Sequence, residues 1–381
     1  MWSSSFTRAL KLTYPIVQAP CAGHTGAELV AAVSNAGGLG SLGAGMIPPS
    51  QLRTTIQAIQ AKTSKPFAVN LFCRPTQPVT EAELQEHCPH IDDVLNQIRS
   101  ELGIPIPTEY KLRSPPLDEQ VAVLLETKVP VVSFTFGMLP NPLRDKLWDA
   151  GTYLIGTATT VQEALMLAGL DPADSTRKAD AIVAQGLEAG GHRGSFLHGT
   201  GENHQPMLRS DLIKAIRNHD LPIPLLAAGG ISHGEDVYRV LQDADGAVIG
   251  TLFMLATESA TPPPHREYML HAEKDGVEST KITTAITGKQ VRSYPNKLMK
   301  RIEQVVAETG AQVPVYDIHS SKTKDIATFA TMHGLKDYML LLSGANTSEA
   351  VNFSEQGTLS ALDILQKLVT EVEQKDAIKK Y

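Results

Sequence analysis

The sequence predicts a closed (β/α)8 TIM barrel that carries a small, mostly helical second domain. Eight short apolar segments alternate with amphipathic segments over about 240 residues, which matches the number and length of the βα units in that fold. Glycine is frequent, at 29 of 381 residues, and aromatic residues make up only 5%, as in α/β proteins with many tight turns. The alternative is an open doubly wound sheet, which usually has a GxGxxG turn after its first strand, and this sequence has none there.

The predicted strands are short runs rich in Val, Ile, Leu and Ala. They cover residues 16–19, 39–42, 66–71, 129–135, 153–156, 181–185, 223–227 and 246–249. The segments between them place apolar residues at helical spacing. They predict helices at 26–36, 50–62, 118–126, 142–150, 161–168, 209–218 and 234–242. Gly37-Gly38-Leu39-Gly40 follows the first of these helices, so it predicts a helix end and a turn.

Residues 74–116 interrupt this alternation. The segment contains seven prolines and one predicted helix at 91–101. A long insertion in a regular fold is more often functional or mobile than filler. We therefore expect it to shape access to the site.

Three regions follow from these patterns. Residues 1–256 form the barrel with its insertion, because the alternation ends there and Pro262-Pro263-Pro264 marks a junction. Residues 257–345 form the small helical domain, with helices predicted at 265–272, 297–308 and 323–333. Residues 346–381 contain an amphipathic helix at 358–374, which is expected to pack back on the barrel.

Charge and cysteine content exclude several classes of protein. The formal net charge is −7 and there is no long basic run, so binding to nucleic acid or to a membrane surface has no electrostatic support. No apolar stretch is long enough to cross a membrane. The three cysteines do not form a CxxC pair, which favours a reducing, cytoplasmic setting. The acid-free segment 1–12 makes mitochondrial import the minority alternative, and a monomer or homodimer is expected.

The loop after the sixth strand is the most informative motif. Gly190 and Gly191 permit close approach of the backbone to a ligand, and His192 follows directly. Imidazole is well suited to proton transfer near neutral pH, and the C-terminal ends of barrel strands are where such enzymes place their chemistry. The alternative is a flexible loop with a surface histidine.

Glycines also end the last two strands. Gly229 and Gly230 follow the seventh strand, and Gly250 and Thr251 follow the eighth. Loops at these places bind phosphate in many (β/α)8 enzymes. Glycines that only permit tight turns are the alternative, but two consecutive pairs favour a phosphate-bearing cofactor.

Two further strand ends are candidates for cofactor binding. Asn70 ends the third strand, and its amide both donates and accepts, as the edge of a flavin requires. A turn-capping asparagine is the alternative. Ala19, Pro20 and Cys21 end the first strand, where small side chains leave room for a flat ring.

Neither a metal site nor a serine esterase is predicted. His87, Cys88 and His90 match no zinc pattern that has a second pair of ligands. His198 and His204 lie near His192 in the sequence without a carboxylate at matching spacing. No GxSxG motif is present.

Several of these motifs, in this order, resemble the nitronate monooxygenases, formerly called 2-nitropropane dioxygenases. The resemblance rests on residues 14–20 (YPIVQAP), 36–40 (AGGLG), 190–194 (GGHRG), 228–230 (AGG) and 250–253 (GTLF). Thr287-Gly288-Lys289 and Asn296 fit the later helical part of that family. The FMN-dependent enoyl-ACP reductases share the same skeleton, so the motifs do not separate the two activities.

The resemblance implies a (β/α)8 barrel with FMN bound non-covalently at its C-terminal face. Alkyl nitronates, propionate 3-nitronate in particular, would be oxidised by O2 to a carbonyl compound and nitrite, with His192 as the catalytic base. The alternative is an FMN- and NAD(P)H-dependent enoyl-thioester reductase. The implied cofactor-binding residues are Ala19, Pro20, Cys21 and Ala22 at the ring, Asn70 and Gln185 at its edges or the ribityl chain, Gly190 and Gly191 through their backbone, and Ala228, Gly229, Gly230, Gly250 and Thr251 at the phosphate.

Overall fold

The barrel is present in the computed structural model of the chain, which describes residues 2–73, 79–197, 206–274, 276–277 and 279–379. Its eight strands are parallel and lie within two residues of the predicted bounds, so the predicted fold class is confirmed. The strands in chain order are β1 (Ile16–Gln18), β2 (Gly40–Gly43), β3 (Phe67–Phe72), β4 (Val131–Thr135), β5 (Tyr153–Ala158), β6 (Ala181–Gln185), β7 (Gly191–His192), β8 (Leu225–Ala228) and β9 (Gly246–Ile249), of which β7 lies outside the barrel.

The strand order closes the sheet on itself. Neighbouring strands run β1-β9-β8-β6-β5-β4-β3-β2. A parallel bridge between Val17 and Leu39 joins the two ends, with the Leu39 N–H donating to the Ile16 carbonyl at 2.9 Å. All eight carboxyl ends therefore open at one face.

Helices surround the barrel. In and between the barrel strands they are α1 (Ser5–Leu10), α2 (Ala27–Asn35), α3 (Pro49–Lys62), α4 (Glu81–Gln85), α5 (Ile91–Leu102), α6 (Leu117–Glu126), α7 (Asn141–Asp149), α8 (Val161–Ala168), α9 (Arg209–Arg217), α10 (Gly234–Asp243) and α11 (Thr251–Met254). The turn after α2 depends on glycine. Gly37 has φ +95°, and a Cβ on Gly40 would lie 2.0 Å from the Val30 carbonyl oxygen, so strand and helix approach too closely for any side chain.

Small apolar side chains fill the barrel interior. They form a buried cluster that includes Val17, Leu39, Val131 and Leu226. Phe6 of α1 belongs to the same cluster and is fully buried. The Ser4 hydroxyl donates to the Asp245 carbonyl just before β9, so α1 closes the end of the barrel opposite the carboxyl ends.

The region after the barrel contains strands as well as helices. Its elements are α12 (Pro263–His271), β10 (Lys281–Thr283), β11 (Val291–Ser293), α13 (Lys297–Thr309), α14 (Tyr316–Lys322), α15 (Lys324–Met332), a 3₁₀ turn (Lys336–Tyr338), α16 (Thr347–Phe353) and α17 (Ala361–Lys379). The sequence did not predict β7, β10 or β11. These strands of two or three residues form an antiparallel sheet in the order β10-β11-β7, which joins the loop of His192 to the second region.

The last helix lies against the barrel helices. The Gly234 N–H of α10 donates to Glu371 of α17 at 2.8 Å, and Leu365 approaches Gly38 beside α2. The buried residues of α17 include Ile364, Leu365 and Leu368, so its apolar face is covered by the barrel.

The described part of the insertion contacts the second region. Arg99 of α5, fully buried, pairs with Asp325 of α15 at 2.7 Å. Arg301 of α13 pairs with Glu101 at 2.7 Å. These pairs fix the insertion against the second region.

Candidate active site

One cavity of about 330 Å³ lies at the carboxyl ends of the barrel strands, a volume typical of small-molecule sites. Every residue that the sequence predicts for the site lines it. They are Ala19, Pro20, Cys21, Ala22, Asn70, Gln185, Gly190, Gly191, His192, Ala228, Gly229, Gly230, Gly250 and Thr251. The fold therefore brings together residues from five strand ends and one loop.

The ends of β8 and β9 form a backbone cradle. Gly229 and Gly230 have φ +117° and +61°, a conformation that favours glycine. Within the described chain, no backbone acceptor is found for the N–H of Gly230 or Gly250. Thr251 begins α11, where backbone N–H groups are free in any helix. Such a cluster of free donors fits a phosphate group.

Residues far along the chain complete this cradle. The Asn346 side chain donates to the Gly230 carbonyl at 3.0 Å, and the Gly344 N–H donates to the Thr251 hydroxyl at 3.0 Å. A Cβ on Gly190 would lie 2.5 Å from the Gly344 nitrogen. The sequence analysis missed Gly344 and Asn346; their only local signal is a polar, glycine-containing turn before α16.

The ends of β1 and β3 provide a small-residue wall and an amide. Asn70 is buried and its Nδ2 donates to the Ser133 hydroxyl at 2.9 Å. Burial raises the pKa of the Cys21 thiol to about 12. Cys21 therefore stays protonated and offers a small, soft surface rather than a nucleophile.

Gln185 holds the loop that carries His192. Its Nε2 donates to the His192 carbonyl at 3.0 Å, and its Oε1 accepts from the Gly194 N–H at 2.8 Å. The Arg193 guanidinium donates to the Gly186 carbonyl from below. The Gln185 amide thus positions the loop, and its contact with a cofactor remains a prediction.

His192 is neutral at physiological pH. Burial lowers its pKa to about 3, and the nearby cations Lys289 and Arg113 add to the shift. An imidazole without a proton on one nitrogen has a lone pair ready to accept one. The site therefore keeps this side chain in the form that a base requires.

Thr287 determines which imidazole nitrogen is free. His192 Nε2 lies 3.0 Å from the Thr287 hydroxyl oxygen, and that hydroxyl donates to the Lys289 carbonyl at 3.2 Å. Because the carbonyl can only accept, the single hydroxyl proton points to it, and Nε2 must donate to Thr287. Nδ1 is then the acceptor nitrogen, an assignment made from the hydrogen-bond network.

Aromatic side chains surround His192. Phe136 and Tyr316 meet its ring edge-on, with centroids 5.8 and 5.2 Å away. Phe136 has φ +70°, an uncommon value for a large side chain, and its N–H donates to the Gly194 carbonyl at 3.2 Å. The sequence analysis did not identify these two residues, since they lie in the turn after β4 and in α14.

The other histidines are placed differently. His24 lines the cavity, with Nδ1 3.2 Å from the Thr261 hydroxyl, and burial lowers its pKa to about 4. His87 lies 3.3 Å from Asp92. The predicted neighbours His198 and His204 fall outside the described residues. Within the described ranges, no three His, Cys, Asp or Glu side chains are grouped to hold a metal ion.

No helix in the described part of the chain has the length and apolarity needed to cross a membrane.

A family model and a sequence relative point to the same family. A family model described as nitronate monooxygenase matches residues 3–371. A protein of Staphylococcus haemolyticus described as a probable nitronate monooxygenase is 34% identical over 359 residues, which are 92% of this chain and 95% of the relative. The structure of a nitroalkane oxidase from Streptomyces ansochromogenes is 30% identical, with a TM-score of 0.81 over 98% of this chain and 99% of that chain. The structure of FabK from Thermotoga maritima, at 23% identity and a TM-score of 0.73 over 100% and 99% of the two chains, shares the fold.

Proposed function

The chain belongs to the nitronate monooxygenase family and is a flavin-dependent oxidoreductase; from this premise we propose that it binds FMN and oxidises alkyl nitronates, such as propionate 3-nitronate, with O2 to a carbonyl compound and nitrite. The observation that carries the proposal is the cavity itself. It holds a free-donor cradle for a phosphate at one side and a neutral, oriented histidine at the other.

The residues present fit FMN. The cradle at Gly229, Gly230 and Gly250 would hold its phosphate through backbone N–H groups. The small residues Pro20, Cys21 and Ala22 would lie along the ring, and Asn70 would bond its edge. When bound, the flavin supplies the electron transfer, and the protein supplies binding, orientation and the base.

His192 serves substrates that still carry their α-proton. Nδ1 accepts that proton from a neutral nitroalkane, while Nε2 stays bonded to the Thr287 hydroxyl. Phe136 and Tyr316 pack edge-on against the imidazole. A pre-formed nitronate needs no base, so for it the protein's part is binding and orientation.

The test is an absorption spectrum of the purified protein before and after anaerobic addition of propionate 3-nitronate. We expect a yellow protein that releases FMN on denaturation, bleaching of the flavin by the nitronate, and steady nitrite release in air. A colourless protein that fails to take up added FMN would contradict the proposal. So would a yellow protein that releases no nitrite, since that describes a flavin-binding barrel without turnover.

The enoyl-thioester reductase is the alternative of a different class. This alternative rests on the sequence motifs that the two families share. The likeness of this fold to that of FabK is consistent with it. Rapid bleaching of the bound flavin by NADH or NADPH would favour the reductase, and slow bleaching beside fast reaction with the nitronate would favour the monooxygenase.

A further inference from the structure

The cavity has a single formally charged side chain among the described residues that line it. That side chain is Arg113, from the end of the insertion. The other described lining residues are apolar, neutral polar, glycine or neutral histidine, with no aspartate or glutamate among them. A guanidinium keeps its charge in proteins, so the cavity carries a fixed positive charge.

Arg113 lacks a carboxylate partner within the described chain. No described Asp or Glu oxygen lies within 4.0 Å of it, and its hydrogen bond to the Ser320 carbonyl is long, at 3.4 Å. The nearby carboxylate of Asp317 accepts instead from the Ser114 hydroxyl at 3.0 Å. Most of the guanidinium donors therefore remain available to a ligand.

Two other buried cations of this region have carboxylate partners. Arg99 pairs with Asp325 at 2.7 Å, and Lys322 pairs with Asp92 at 2.8 Å. Lys289 and Arg193 donate instead to backbone carbonyls, those of Ser195 and Gly186, and neither side chain lines the cavity. An unmatched cation at the wall of a cavity is costly unless a ligand of opposite charge neutralises it.

Arg113 lies on the His192 side of the cavity rather than at the phosphate cradle. It is close enough to affect the His192 imidazole electrostatically. It contacts Ser320 in α14, the helix that also supplies Tyr316 against the His192 ring. The anion that it meets therefore belongs to the substrate.

We propose that Arg113 binds a carboxylate at the end of the substrate remote from the nitronate carbon, and so selects carboxylate-bearing nitronates over alkyl nitronates of equal length. This inference rests on the proposed function. A guanidinium binds a carboxylate through two parallel hydrogen bonds, which orients the substrate so that its reacting carbon faces His192 and the ring site.

The test compares two substrates of similar length, propionate 3-nitronate and propyl-1-nitronate, in the flavin-loaded enzyme. Arg113→Met should raise KM for the carboxylate-bearing substrate by about 10- to 100-fold, the range of a charge-assisted hydrogen bond. The KM for propyl-1-nitronate should hardly change, and kcat should change little for either. Lys111→Met is the matched control, because it removes an exposed cation from the same segment, and it should leave both substrates unaffected.

A binding measurement keeps the test independent of turnover. Succinate resembles propionate 3-nitronate with a carboxylate carbon in place of the nitronate nitrogen. Butyrate, which has only one carboxylate, is the comparison compound. Succinate should perturb the flavin spectrum and raise the melting temperature of the wild type, with a much weaker effect in Arg113→Met. Arg113→Lys keeps the positive charge but lacks the paired donors, so it should retain part of the succinate binding. It replaces Arg113→Met in the comparison if the Met variant does not fold.

The outcomes are distinct. Equal loss on both substrates would place Arg113 at the nitronate group and overturn the proposal, as would no loss on either. If the wild type oxidises neither nitronate, the proposed function fails. In that case Arg113-dependent binding of succinate would still support an anion site, and its absence would overturn that as well.

Discussion

Replacing His192 by asparagine should separate two forms of one substrate. Neutral nitroethane still has its α-proton, and pre-ionised ethylnitronate has lost it. His192→Asn should slow turnover of the neutral form strongly and leave the ionised form nearly unchanged. The variant should keep its flavin, because the proposed cofactor contacts come from backbone groups and other strand ends.

The magnitude follows from the state of the imidazole. Positioned general bases contribute about 10²- to 10⁴-fold. Burial, Lys289 and Arg113 hold the pKa of His192 at about 3. At pH 7 nearly every molecule therefore has a neutral imidazole that can accept a proton. Protonation of the imidazole therefore does not limit the loss, and the wild-type rate on neutral nitroethane should vary little with pH between 5 and 8 through this group.

The assay is nitrite release at saturating O2, with flavin content measured for each protein. His24→Asn is the matched control, since His24 is a second, partly buried histidine that lines the same cavity. It should affect both forms of the substrate equally. Equal losses on the two forms in His192→Asn, or a loss confined to the neutral form in His24→Asn, would refute the assignment of His192 as the base.

Three further predictions concern the cofactor and stability. Gly230→Val should weaken FMN retention, because φ is +61° and its Cβ would lie 3.0 Å from Glu188 Cβ. Gly103→Val, with φ +70° and open space around it, is the control, and equal flavin content in the two variants would contradict a phosphate cradle. Stability should fall as pH drops from about 6.5 towards 4, by up to about 1.4 kcal/mol per pH unit per histidine. Burial lowers the pKa of four histidines, which are His24, His192, His265 and His319. In this pH range the unfolded chain therefore binds protons that the folded chain does not. Urea unfolding at pH 7 and 5 measures this, and an unchanged free energy of unfolding would contradict it. Asp325→Ala should lower the free energy of unfolding by about 3 kcal/mol in the same assay, because it leaves the fully buried Arg99 without its carboxylate partner. A change near zero would show that water reaches the guanidinium.

The sequence by itself determined the barrel and which strand ends line its cavity. The period of apolar residues and the glycines that end elements are local signals. A parallel barrel also gathers all its strand ends at one face. To place these residues together, it was therefore enough to know that Asn70 lies near the end of β3, although two residues short of it, and that Gly229 and Gly250 follow β8 and β9. His192 was found in the same way, because it follows β6 closely. The motifs also pointed to the family to which the chain belongs.

Only the tertiary structure decided what surrounds those residues. Thr287 meets His192 from 95 positions away, Asn346 meets Gly230 from 116, and Arg113 enters the cavity from a proline-rich insertion with no periodic signal. The strands β7, β10 and β11 are too short to show a period of two, and they form because they pair with each other. The acidity of His192 is likewise a property of its burial and its neighbouring cations, since an imidazole in a sequence has no environment until the chain folds around it.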